Sequence, residues 1–80
     1  MQIKKEKLEA AEKKERYWIR LMAIHKEIPD DYREVLTRKY PHLKINSIYN
    51  TREGRQPDLE ILGYLEDLVE EIREKQQAQQ

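Results

Sequence analysis

The chain reads as an all-α protein, a single domain of four helices, on three observations. Ala, Leu, Glu, Lys and Arg dominate residues 2–27 with no Gly or Pro among them, a run of strong helix formers. Further along, apolar residues recur at spacings of three and four, the repeat of one helical face. Pro29, Pro41 and Pro57 then punctuate the chain, each resisting helical geometry at the residue before it. The expected helices are 2–27, 31–40, 45–53 and 58–75.

Eighty residues with 38% hydrophobic content make one domain at most, and so small a body buries a smaller share of its surface than a larger one. Its stability is therefore expected to be modest or borrowed from a partner. The absence of Cys excludes disulfides and thiolate metal sites, and nothing points to an oxidising compartment. Residues 1–7 are charged and lack the apolar run of a signal peptide, and no stretch approaches the roughly 20 apolar residues of a membrane span. The expectation is a cytoplasmic protein with no membrane partner.

The formal charge is zero, 16 Lys and Arg against 16 Asp and Glu, which argues against an indiscriminate polyanion binder. The balance is segmental. Residues 1–28 hold eight basic and five acidic residues, a net of +3, and residues 29–57 six and four, a net of +2. Within 38–55, five basic residues face only Glu53. Residues 58–80 hold two basic and seven acidic residues, a net of −5. The middle suits phosphate and the end does not.

The first helix, at 1.5 Å per residue, would extend roughly 40 Å, longer than a small helical domain needs. Its apolar residues are sparse at first, Ile3, Leu8, Ala10 and Ala11, and then dense: Tyr17, Leu21, Ile24 and Ile28 form a 4-3-4 stripe that Trp18, Met22 and His25 widen. Residues 17–75 are thus the packed domain. Residues 1–16 are a solvated helical arm or a coiled-coil extension, with Leu8, Ala11, Trp18, Met22 and His25 at near-heptad spacing; Glu15 and the small Ala11 interrupt that seam.

Pro29 ends the first helix, and Asp30 is expected to accept from the free amides of a second beginning at Asp31. Tyr32, Val35, Leu36 and Tyr40 face inward there, while Arg33, Glu34, Arg38 and Lys39 stay outside. Pro41 to Lys44 make a turn anchored by Leu43. In the third helix Ile48 is the clearest inward residue, and Gly54 supplies a left-handed cap. Pro57 and Asp58 open the last helix, where Leu59, Ile61, Leu62, Leu65, Leu68, Val69 and Ile72 form the strongest amphipathic pattern of the chain. Gly63 inside it suggests close approach of another helix. Residues 76–80 are read as a disordered tail.

Asn46, Ser47, Tyr49, Asn50 and Arg52 leave the third helix few positions for a core, so most of it must face water or a polar partner. The major groove of DNA admits one helix, and base edges are read by side chains that donate and accept, with cations holding the phosphates on either side. Asn46, Ser47, Tyr49 and Asn50 lie where base contacts would be made. Lys44, Arg52 and Arg55, with Arg38 and Lys39 alongside, are placed to neutralise phosphate.

Over about residues 28–72 the chain resembles the small helix-turn-helix DNA-binding proteins of the phage-repressor type found in bacteria, phages and mobile elements. The likeness is carried by IPDDYREVLTRKY, LKINSIYNTREGR and PDLEILGYLEDLVEEI. The family's recognition helix has a cap residue, a buried aliphatic and an ending near Asn-Gly-Lys-Arg; Lys44, Ile48 and Glu53-Gly54-Arg55 stand in those places. The resemblance implies base contact by Ile45, Asn46, Ser47 and Asn50, and backbone contact by Arg52 and Arg55. Pro41-His42 gives what looks like one extra residue in the turn. Thr51 and Arg52 replace a common aliphatic pair, so the recognition helix is expected to be less firmly buried.

Each of these residues has a plainer explanation. Arg38, Lys39, Arg52 and Arg55 also suit an ordinary solvated face, and Asn46 and Ser47 suit a helix start. His25 and His42 lack Cys partners and paired metal spacing, so no metal or other cofactor is expected. Tyr17, Trp18, Tyr32 and Tyr64 are expected as core or interface aromatics. No phosphate loop and no nucleophile beside a base is visible, which leaves neither an enzyme nor a small-molecule substrate as the expectation. The reading is sequence-specific binding of double-stranded DNA in transcriptional regulation, as a homodimer through the N-terminal or C-terminal helix. The alternative is a helical protein-interaction or phage structural adaptor module with no DNA role.

Overall fold

The computed structural model describes the backbone of residues 3–78 and the side chains of 9–77. It is all-α. Four helices run α1 Ile3–Ile24, α2 Tyr32–Lys39, α3 Ile45–Arg52 and α4 Leu59–Ala78, with a short 3-10 turn at His25–Glu27 closing the end of α1. α1 and α4 are the two long elements, and the short α2 and α3 pack against α4 and each other. The molecule is elongated, 55 Å by 28 Å by 16 Å. Its long axis reflects α1, of which residues 9–16 are exposed on all sides.

The core is built from the 4-3-4 stripe of α1 meeting the apolar face of α4. Tyr17, Leu21, Ile24 and Ile28 are buried, as are Ile61, Leu62, Leu65, Leu68 and Val69. Tyr32, Leu36 and Ile48 close the core from α2 and α3. Val35, Tyr40, Leu43, Leu59, Tyr64 and Ile72 lie half-buried around it. Three ion pairs strap α4 to the other elements: Arg20 of α1 donates through both guanidinium arms to Glu66, Lys39 of α2 reaches Glu71 at 2.8 Å, and Arg73 clasps Glu27. The acid of the last helix is thus partly met by the base of the first two.

Several expectations are corrected. Trp18 and Met22 do not widen the buried stripe of α1. Met22 lies with Ile19 on its outer side, and Trp18 turns to its flank, where its ring rests on Gly54. Asp30 does not cap α2; the turn is closed by backbone, Tyr32 N–H donating to the Pro29 carbonyl at 3.2 Å and Val35 N–H to that of Asp31 at 3.1 Å. Gly63 is not a point of close approach, since a Cβ built there meets nothing within 4 Å. α4 continues through Ala78, past the expected end at 75 and into the expected tail of 76–80, because Gln and Ala favour helix once the preceding turns are formed. Gln79 and Gln80 lie outside the described residues, as do the side chains of Ile3 and Leu8. Among the described residues no helix is long and apolar enough to cross a membrane.

Candidate nucleic-acid interface

The candidate surface is organised by α2, the segment 40–44 and α3. Tyr40 ends α2, its N–H donating to the Leu36 carbonyl at 2.8 Å, and Leu43 N–H returns to the Tyr40 carbonyl at 3.0 Å. That turn is pinned to α4 by aromatics. The Tyr40 ring stacks on Tyr64 with centroids 3.9 Å apart, and His42 meets both rings edge-on. His42 also lies 3.9 Å from Glu60, which accepts from the Tyr64 hydroxyl at 3.1 Å. Five residues of linker therefore hold a fixed path between α2 and α3.

α3 is seated more firmly than its composition implied. Ile48 and Thr51 are both fully buried, and Thr51 substitutes for an aliphatic by satisfying its own hydroxyl, which donates to the Ser47 carbonyl at 2.7 Å. The expectation of a loosely buried recognition helix is overturned on this point. The Thr51 carbonyl in turn accepts from the buried Tyr17 hydroxyl of α1. Burial pushes the Tyr17 phenol above its ordinary value, so it stays a donor there.

The end of α3 is a Schellman cap. Gly54 adopts φ of +85°, its N–H reaches the Thr51 carbonyl at 3.3 Å, and Arg55 N–H reaches the Asn50 carbonyl at 2.9 Å. The Trp18 ring lies over Gly54, so close that a Cβ there would sit 2.8 Å from its edge. α1 thereby clamps the far end of the helix that α2 and the turn position at the near end.

Opposite Ile48 and Thr51, positions Asn46, Tyr49 and Asn50 share one face at i, i+3 and i+4. Ile45, 52% exposed, and Asn46 are open to solvent; Ser47, Tyr49 and Asn50 are half-buried. The cations divide. Arg38, Lys44 and Arg55 are exposed and make no ion pair among the described residues. Lys39 is occupied by Glu71, which raises its pKa through the shared hydrogen bonds. Arg52 pairs with Glu53 at 3.2 Å, lies 6.0 Å from the centre of the Tyr32 ring, and buries its Nε without a hydrogen-bond partner.

Arg33 belongs to this surface although sequence reasoning left it among the solvated residues of α2. Its guanidinium sits 5.5 Å from the centre of the Tyr49 ring and 5.8 Å from that of Tyr32, joining the start of α2 to the middle of α3. No local pattern pairs residues 33 and 49; the turn brings them together. Desolvation raises the Tyr32 phenol against the opposing pull of Arg33 and Arg52, so both cations lie beside a neutral aromatic. No protein-family model, curated protein or solved structure matches the chain.

Proposed function

We propose that the chain binds double-stranded DNA by laying α3 in the major groove, that it acts in transcriptional control, and that two copies pair on symmetric half-sites. One observation carries the reading: Ile48 and Thr51 are fully buried while Ile45 and Asn46, on the same turns, stay open. A short polar helix is held rigidly by one side and displayed by the other, which is what base reading demands of its element. Asn46 and Asn50, with Ile45, Ser47 and Tyr49 beside them, are the proposed base-contacting set. Lys44 before the helix, Arg55 after it and Arg38 on α2 are the proposed phosphate contacts. Lys39 and Arg52 come second, since each must first leave an acidic partner.

The test begins with selection of a preferred duplex from a random pool, followed by titration at low and moderate salt. Binding that falls steeply as salt rises is expected, because these cations displace condensed counterions from the phosphates into solution. Arg55→Ala should weaken every sequence alike and reduce the slope of log affinity against log salt by about 1. Asn50→Ala should cost roughly 1–3 kcal/mol on the preferred sequence alone. No binding at low salt would replace this reading with that of a helical protein-interaction module.

A further inference from the structure

Among the described residues the two most exposed large hydrophobics lie together on α1, Ile19 at 64% and Met22 at 53%, flanked by Trp18, whose ring rests on Gly54 and keeps 40% of its surface open. α4 offers no comparable surface, because its apolar stripe is spent on the core. On a helical projection Glu15, Ile19 and Met22 form a line at i, i+4 and i+7 directly opposite the buried line of Tyr17, Leu21 and Ile24. α1 is therefore apolar on two opposed faces, and the fold covers one.

We propose that the outer face of α1 is the contact between two copies of this chain, with the helices antiparallel about a twofold axis passing between positions 20 and 21. In that register Ile19 meets Met22 of the second copy and Met22 meets Ile19. The charges at the two ends complement one another. Glu15 of α1 comes opposite Lys26 of the second copy, in the 3-10 turn that continues its α1, and Lys26 opposite its Glu15, so one pattern satisfies itself twice, as an isologous interface requires. Glu15 and Lys26 are both exposed and make no ion pair among the described residues, whereas the neighbouring Arg20 and Glu27 are already engaged by Glu66 and Arg73. The parallel alternative stacks Glu15 on Glu15 at one end of the seam and Lys26 on Lys26 at the other, repulsions that the antiparallel register removes. The patch spans only about three helical turns, a small contact, so the pairing is concentration-dependent. The pairing requires no DNA.

Sedimentation of the full chain without DNA, over a range of concentration, is the test. The wild-type mass is expected to rise from one chain toward two, and Ile19→Glu with Met22→Glu to hold it at one while the helical circular dichroism is unchanged. Glu15→Lys alone and Lys26→Glu alone should each weaken association about tenfold, and the two together should restore it. A chain that stays monomeric at every concentration overturns the proposal. So does a dimer indifferent to the Ile19 and Met22 changes, or a double charge swap that fails to recover association. DNA binding by a strictly monomeric chain would leave the α3 reading standing without this one.

Discussion

Gly54 and Gly63 illustrate how the same residue type answers to different physics in one chain. At Gly54 the backbone is left-handed, at φ of +85°, and the Trp18 ring occupies the space a side chain would need. Gly54→Ala should therefore cost roughly 1–3 kcal/mol in denaturant unfolding, from backbone strain and from displacing Trp18. Gly63 sits inside α4 with ordinary helical geometry and open space around it. Gly63→Ala should stabilise the fold by about 1 kcal/mol, the helix-propensity difference with no opposing contact. An unfolding midpoint that moves the same way for both substitutions would contradict this account of their environments. Thr51 teaches the same lesson. Polar by composition, it is apolar in effect, because its hydroxyl returns to the backbone of its own helix.

α4 depends on how it begins. Asp58 accepts the Ile61 N–H on Oδ1 at 3.1 Å, the reach of an N-cap side chain to the third helical residue, and its own carbonyl accepts Leu62 N–H at 3.0 Å. Asp58→Ala should cost about 1 kcal/mol of stability, measurable by the same denaturant titration, and Asp58→Asn much less, since the acceptor is retained. α3 depends instead on how it ends and on what lies beneath it. With eight residues it is too short to stand alone, and the Schellman cap, Ile48, Thr51 and the Tyr17 hydroxyl fix it from three sides. That rigidity is a property the proposed DNA-reading element needs and that its own sequence does not supply.

Across the whole molecule the ion pairs divide the acidic end from the basic beginning and join them at the same time. Hydrogen bonds from Arg73 hold the Glu27 carboxyl below its ordinary range, and those from Lys39 do the same for Glu71. In the folded state these groups bind fewer protons than in the unfolded one, so stability rises with pH across their titration. The contribution is present above the unfolded carboxylate value, roughly pH 4.3, and is lost as pH falls through the lower folded values. The melting temperature should hold from pH 7 to pH 5 and fall below about pH 4, less steeply at high salt because both pairs are at the surface. A melting temperature unchanged down to pH 3 would show that these pairs add nothing. The net charge of zero hides this arrangement, since the acid of α4 serves α1 and α2 while Arg38, Lys44 and Arg55 make no ion pair among the described residues.

The number of helices, their approximate limits and the buried stripes of α1 and α4 were legible in the residues, because propensity, proline geometry and helical periodicity act within a few positions along the chain. Gly54 as a left-handed cap and Asp58 as a helix start belong to the same local class. What lay beyond reading was whatever joins distant positions: Tyr17 to the Thr51 carbonyl, 34 residues on, Arg20 to Glu66, 46 residues on, and Arg33 to Tyr49. The outward turn of Met22 and the seating of Trp18 on Gly54 belong here too. Apolar residues in succession on a helix, as at Tyr17-Trp18-Ile19 and Leu21-Met22, cannot all reach one core, and only the position of α4 decides which of them stay outside it.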